Sequence, residues 1–475
     1  MACAPGCLTP SLLMETLRIR SGRNWSLSGL FQLGCQRFRA SPLSARLAKG
    51  VVWSLIGAII ARGAGVVASI IVARLLGITA FGEFTVIQST VGLFGTFAGL
   101  GLGVTATKYV AELRDSDPGR CGRIIGLVLT TATVGGVIAA AGLVWLGPWL
   151  AAHTLAAPQL APWLQWGALL VVFGTLQGVY SGVLSGFEAF KRVAKVNWLA
   201  ALLGTPLVVL ATYSDGLRGA VWGSALQLAV GCLLGHVALV QESARAGIRV
   251  RWGVLTSDLG VLWSCSVPAF LSSALAGPAN WACNTLLVNQ DAGYNEVALL
   301  NAAGQWRNFL IFLPMTMTTV LLPIFANLYR TGNRAELMSL LRRNLLINAG
   351  VSLALAVPVA LLGSTILGWY GPGFQSGIVV FVLAMLGTAV VGPSNLLSRA
   401  MQATGRAWLE FSFSALWAVL LVSLCVALIP AHKALGLTIA HICAAAALAV
   451  WQWLIIRRLT SSKVLAVVPP LDPVG

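Results

Sequence analysis

Residues 51–73 read VVWSLIGAIIARGAGVVASIIVA, an apolar run whose one charge, Arg62, falls in the middle. A bilayer core takes ~20 apolar residues as an α-helix, so the run is long enough to cross one. It lacks the polar face that a helix on a water-soluble domain needs every third or fourth residue. It is also too long and too continuous for a barrel strand, which would be ~10 residues of alternating character.

Eleven further runs follow, at 84–107, 124–146, 163–187, 196–214, 219–240, 259–283, 297–327, 344–366, 376–398, 411–430 and 434–456. Of the 475 residues 57% are hydrophobic and 9% charged, with a mean hydropathy of +0.85. A soluble domain carries roughly 25% charged residues, so a soluble enzyme is excluded. The net charge of +17 would suit nucleic acid only if gathered on one face of a polar domain. Here the charges fall in small groups between apolar runs, and no nucleic-acid partner is expected. Disorder is excluded because it pairs high charge with low hydrophobicity. The nine cysteines form no CxxC pair, and neither a disulfide framework nor a metal site is expected from them.

Positively charged loops stay cytoplasmic. With twelve spans, 26 of the 31 Lys and Arg fall on the side of the N-terminus, three (Arg74, Arg218, Lys433) on the other, and two (Arg62, Arg307) within spans. Both termini are therefore predicted to be cytoplasmic. The expected organisation is a disordered polar tail over 1–45, six-helix lobes over 46–245 and 246–458, and a C-terminal tail over 459–475.

The halves resemble each other. Ala80-Phe81-Gly82-Glu83-Phe84 matches Gly293-Tyr294-Asn295-Glu296-Val297, Ala111-Glu112-Leu113 matches Ala326-Asn327-Leu328, and Lys191 falls opposite Arg406. Six spans per repeat is an even number, so both halves enter from one side. This predicts an all-α integral membrane protein with two parallel six-helix lobes around a central cavity.

Arg74-Leu75-Leu76-Gly77 followed by Phe81-Gly82-Glu83-Phe84, a Gly-rich second span and Ala111-Glu112-Leu113-Arg114 resembles the start of the polysaccharide (O-antigen) flippases. Met401-Gln402-Ala403-Thr404-Gly405-Arg406, Ile429-Pro430 and Ala434-Leu435-Gly436 resemble their end. That family belongs to the multidrug, oligosaccharidyl-lipid and polysaccharide exporter superfamily. The resemblance covers roughly residues 46–458. It implies a bacterial inner-membrane protein that moves a polyprenyl-pyrophosphate-linked oligosaccharide to the outer leaflet by alternating access. It also implies polysaccharide polymerase and chain-length proteins as partners beside membrane lipids. The alternatives are a small-molecule exporter of the same superfamily and a membrane polymerase or ligase. Against the last, no nucleophile, base and oxyanion constellation is found.

Arg62 lies about 16 Å from either end of its span at 1.5 Å per residue. A mid-membrane arginine costs at least ~2.5 kcal/mol unless it meets water, a partner or a ligand. Arg307 sits at similar depth in the other half. No acidic residue is placed to neutralise either one, so two cations facing an anionic ligand across a cavity are expected. Ser273, Asn280 and Asn284, with Ser266, form a polar stripe on span seven, and Asn301, Gln305 and Asn308 form another on span eight, some 100° or more from Arg307. These groups suit sugar hydroxyls and serve equally as glue between helices. Lys191, Arg192, Lys195, Arg399 and Arg406 form candidate clusters for pyrophosphate entry, with contact to anionic lipid as the competing reading. Gly95, Gly99, Gly103, Gly231 and Gly235 read as packing glycines. His236 and His441 lie within spans and read as packing residues that could titrate. No cofactor is expected, and coupling is open among proton, sodium and membrane potential. Buried carboxylates, the usual seats of ion coupling and organic-cation binding, are missing from the spans, which argues against a multidrug cation exporter.

Overall fold

The computed structural model describes residues 42–251, 270, 274–331, 333–402 and 407–461. Ser266, Ser273, Arg406 and most of the N-terminal tail lie outside them. The chain divides into two units, 1–53 and 54–475. The first is helical from Pro42 onward, and the second holds everything that follows.

The described residues are almost entirely α-helical. In chain order the helices are α1 (Pro42–Gly99), α2 (Leu102–Leu113), α3 (Pro118–Trp149), α4 (Ala161–Gly186), α5 (Phe190–Arg245), α6 (Ala276–Val288), α7 (Gly293–Arg330), α8 (Arg334–Leu361), α9 (Gly363–Tyr370), α10 (Ile378–Leu386), α11 (Thr388–Gln402) and α12 (Ala407–Ser461). Local signals start several of them. Pro118 opens α3 behind Asp117, whose carboxylate accepts the Arg120 N–H at 2.9 Å. Asn333 caps α8: its Oδ1 accepts the Glu336 N–H at 3.4 Å, which satisfies one otherwise orphaned donor of the first turn, and its NH₂ donates to the Glu336 carboxylate.

Twelve spans were expected, whereas seven continuous stretches among the described residues are long and apolar enough to cross a membrane. Three of them, Arg62–Leu113, Phe190–Arg245 and Phe411–Arg458, run to 52, 56 and 48 residues, more than twice the ~20 that a bilayer takes. Each is broken by a non-helical residue, Gly77, Gly216 or Lys433, between two expected spans. At Gly216 the chain folds back, so that a Cβ on Gly219 would overlap the Ala211 carbonyl. At Lys433 it does the same, and a Cβ on Gly436 would stand 2.5 Å from the Leu428 carbonyl oxygen. Span seven falls largely outside the described residues, which accounts for part of the remaining difference.

Three buried cores organise the helices. One draws on both halves: Phe81, Phe84, Ile87 and Leu155 join Leu287, Val297, Tyr370 and Phe374. A second is built from the N-terminal half and the few residues that follow it, with Leu102, Val110, Ile124, Val183 and Ile248. The third lies wholly within the C-terminal half, with Phe325, Leu341, Leu397, Met401 and Ile456. The end of the molecule holding the turns at Gly77, Gly216 and Lys433 is thus sealed by a core common to both halves. At the opposite end each half keeps its own core.

Polar contacts reinforce the seal. The Thr79 hydroxyl donates to Asn295 Oδ1 at 2.8 Å, and Tyr294 donates to the Leu155 carbonyl at 2.8 Å. Deeper in, the Trp281 indole donates to Thr90 at 3.1 Å. Glu296, in the first turn of α7, accepts the Ala434 N–H at 3.2 Å. A carboxylate there suits the positive end of the helical segment that begins after Lys433.

Candidate functional site

Two cavities of about 210 and 400 Å³ lie in the C-terminal half, between α6, α7, α11 and α12. They share Asn280, Arg307, Asn308 and His441. The smaller reaches toward the sealed end, past Asn284, Asn301, Gln305 and Thr438. The larger runs the other way, past Ser394, Asn395, Ser398, Ser414 and Trp417. Arg307 and His441 therefore sit at the waist between an amide-lined chamber and a hydroxyl-lined one.

Arg307 is half-buried. Among the described residues no carboxylate pairs with it, and no Asp or Glu lines either cavity. A guanidinium offers five N–H donors in a planar fork that matches carboxylate or phosphate oxygens. Half-buried and without a carboxylate partner among the described residues, it has donors to offer an anion.

The amides around it are partly committed. Asn280 donates to the Ala276 carbonyl at 2.7 Å and turns Oδ1 to His441 Nε2 at 3.0 Å. Asn284 donates to Ser89 of α1 at 3.1 Å, so it both lines the smaller cavity and ties the halves together. Asn301, Gln305 and Asn308 also line that cavity, together with Arg307. Although the helical wheel sets them 100° or more from Arg307, the chamber wraps around α7 and brings both faces to one space.

Arg62 lines neither cavity. Its guanidinium lies 4.5 Å from the centroid of the Phe312 ring on α7. A cation over an aromatic face is attracted by the ring quadrupole, which gives this arginine a partner in the opposite half. The expected pair of arginines facing each other is thus replaced by one arginine at the waist and one stacked on a ring.

The N-terminal half has its own groove of about 840 Å³, and among the described residues no charged one lines it. Gln88, Thr96 and Gln227 are its larger polar groups, and it adjoins the C-terminal cavities at Ala276. Gly95 and Gly99 face this groove, where a Cβ would meet nothing within 4 Å. Of the five glycines read as packing, Gly103, Gly231 and Gly235 do pack: a Cβ would come within 3.1 Å of Gly178, 2.7 Å of Gln177 and 3.0 Å of Tyr180 respectively.

Of the basic clusters, Lys191 and Lys195 are exposed at the start of α5. Arg192 is bound by Glu242, and it also donates to Gln241 at 2.7 Å. Arg399 closes α11. His441, read from the sequence as a packing residue, lines both cavities. Its only signal was a titratable ring amid apolar residues, which a packing histidine shares.

The fold is that of known membrane transporters. An inward-facing multidrug resistance MATE family transporter of the MOP superfamily aligns over 84% of this chain and 95% of its own, with a TM-score of 0.68 and 15% identity. The lipid II flippase MurJ, in an inward closed conformation, aligns over 86% of this chain and 87% of its own, at 0.68 and 14%. By sequence, the EPS I polysaccharide export inner membrane protein EpsE of Ralstonia nicotianae (strain ATCC BAA-1114 / GMI1000) is 24% identical over 394 residues, 82% of this chain and 88% of the relative. Its counterpart from Ralstonia solanacearum is 24% identical over 393 residues, with the same coverage of both chains. Residues 47–329 match the family described as polysaccharide biosynthesis protein, and with more than half of its length matched, the chain belongs to that family.

Proposed function

We propose that this protein is a flippase that moves a polyprenyl-pyrophosphate-linked oligosaccharide from the cytoplasmic to the outer leaflet of the bacterial inner membrane. The observation that carries the reading is Arg307, a membrane-depth cation without a carboxylate partner among the described residues, set between chambers lined by amides and hydroxyls. The guanidinium takes the pyrophosphate, and the amide-lined chamber takes sugar hydroxyls. The uncharged groove of the N-terminal half gives room to the rest of the head group.

In this reading the chain has twelve spans in two lobes, 46–245 and 246–458, with both termini cytoplasmic, as the bias of Lys and Arg demands. The sealed end then faces outward and the end with separate cores faces the cytoplasm, a loading-competent state. Lys191, Lys195 and Arg399 stand at the entrance. Polymerase and chain-length proteins receive the product. Family membership and the polysaccharide-export relatives support this reading over a small-molecule exporter, and so does the lack, among the described residues, of an Asp or Glu lining the cavities, since buried carboxylates are the usual seats of organic-cation binding.

The test is surface polysaccharide in cells whose own copy of the gene is replaced by Arg307→Gln or Arg307→Lys. Arg307→Gln is expected to abolish polysaccharide at normal protein level in the membrane, and Arg307→Lys to retain part of it. Wild-type polysaccharide with Arg307→Gln would overturn the assignment. Increased drug sensitivity with unchanged polysaccharide would favour the exporter.

A further inference from the structure

His441 lies at the waist with both ring nitrogens facing hydrogen-bond acceptors. Nδ1 is 3.1 Å from the Leu437 carbonyl oxygen, and Nε2 is 3.0 Å from Asn280 Oδ1. The orientation of the Asn280 amide is pinned, because its NH₂ donates to the Ala276 carbonyl at 2.7 Å. Turning the amide over would set two carbonyl oxygens against each other. A neutral imidazole has one N–H and one lone pair, so it satisfies one of these acceptors and presents a lone pair to the other. Only the imidazolium, with two N–H donors, satisfies both.

The charges around the ring act in the opposite sense while the cavity is empty. From α7 the ring faces Arg307, beside which it lines both cavities. From α6 it faces the neutral Asn280, and from the first segment of α12 the Trp417 ring, with centroids 6.5 Å apart. The α11 side of the larger cavity offers serines and an asparagine, with no charged group. A second cation beside Arg307 without a counter-charge is unfavourable at low dielectric. An anion on Arg307 offsets that repulsion, and the two oxygens facing the ring then favour the proton.

We infer that His441 is a proton-binding site linked to the anion site at Arg307: the ring is neutral when the cavity is empty and takes one proton from the bulk solution, supplied by the acid form of its buffer, when a phosphate-type anion binds. The N–H formed is the second on the ring, and it completes the bonds to Leu437 and Asn280. The inference rests on the flippase reading, and it identifies the proton as the ion whose binding is linked to that of the substrate. Linkage is reciprocal, so a proton taken up on anion binding makes the anion bind more tightly as pH falls, by up to about tenfold per pH unit.

The test is calorimetric binding to the purified full chain in lipid nanodiscs, with inorganic pyrophosphate and with sulfate, which does not titrate near neutrality. Repeating each titration in buffers of different ionisation enthalpy counts the protons taken up. Wild type is expected to take up protons with either anion, whereas His441→Gln and His441→Asn are expected to bind without that uptake and with a flat pH dependence for sulfate. Side-chain ¹⁵N spectra of histidine-labelled wild type should show one ring passing from neutral to imidazolium on adding anion, its resonance identified by its loss in either variant. Equal proton uptake in wild type and variants, or a ring that stays neutral, would overturn the inference and leave the flippase reading intact. If neither anion binds wild type, or if Arg307→Gln binds as well as wild type, the anion site fails, and the proton site with it.

Discussion

A Cβ placed on Gly82 would stand 2.0 Å from the carbonyl oxygen of Tyr294. These two residues belong to the segments that match between the halves, 80–84 and 293–297, so the repeated segments meet each other at the sealed end. The Thr79 to Asn295 hydrogen bond joins the same pair of segments, and Phe81 packs edge-on against Phe374 at 6.0 Å. No side chain fits between the backbones at Gly82 while the seal is closed.

Gly82→Ala should therefore wedge the seal open. Overpacking of this kind costs typically about 1–3 kcal/mol, enough to shift a balance between closed and open ends by roughly five- to 150-fold. Spin labels at Thr79 and Asn295 should report a longer distance in Gly82→Ala than in the otherwise unchanged protein. Polysaccharide export should fall while the protein still inserts. An unchanged distance distribution would show that the backbones separate without affecting the seal.

Lys433 adopts φ 47° and ψ −127°, nearly the conformation of Gly216 at φ 56° and ψ −130°. The two residues turn the chain between the last pair of helices in each half. Glycine reaches this region without strain, whereas a residue with a Cβ in a sparsely populated region costs of order 1–3 kcal/mol. Lys433→Gly should raise the unfolding temperature in detergent, with no loss of export. The gain is reduced by the extra freedom glycine brings to the unfolded chain. The reverse change, Gly216→Lys, should lower the unfolding temperature.

Arg62 on α1 and Phe312 on α7 link the halves through a cation and a ring. Such a contact is worth about 0.5–2 kcal/mol. If it holds the halves together, Arg62→Ala and Phe312→Leu should each weaken the closed state, and the double variant should do no more than the stronger single one. A double-mutant cycle on thermal stability measures this coupling directly. Additive losses would show that the two side chains are not coupled.

How much of this was legible before coordinates depends on the range of each interaction. Hydropathy is local, so the apolar runs, the turn at Gly216 and the exceptional position of Arg307 could be read from the chain. The match of Phe81-Gly82-Glu83 to Tyr294-Asn295-Glu296 pointed to a repeat, but not to the contact between its copies. Periodicity puts Asn301 and Arg307 on different faces of α7, and it carries no sign that one cavity wraps both. The stacking of Arg62 on Phe312 joins residues 250 positions apart, and no spacing rule reaches that far. Gly95 and Gly99 show the same limit: a four-residue repeat looks alike whether it abuts a helix or borders a groove. Ser273 and Arg406 lie outside the described residues.

Arg192 illustrates how a cluster in sequence can separate in space. Lys191, Arg192 and Lys195 lie within five positions, yet Arg192 is held against Glu242 in the last turns of α5, with Arg245 at 3.7 Å from the same carboxylate. Both Arg192 and Glu242 side chains are 18% exposed, sheltered enough for loss of one partner to strand the other. Arg192→Ala should therefore cost thermal stability, and Glu242→Gln should cost a similar amount, with the double change no worse than either. Lys191→Ala and Lys195→Ala remove exposed charges, worth about 0–1 kcal/mol in stability, and should leave unfolding unchanged. If these lysines gather pyrophosphate at the entrance, their loss slows anion association and flattens its dependence on salt, because steering by exposed charge is screened within ~8 Å at physiological ionic strength. Stopped-flow binding of pyrophosphate at two salt concentrations separates the roles: a slower, less salt-sensitive rate in the lysine variants places capture there, and an unchanged rate assigns those lysines to the membrane surface.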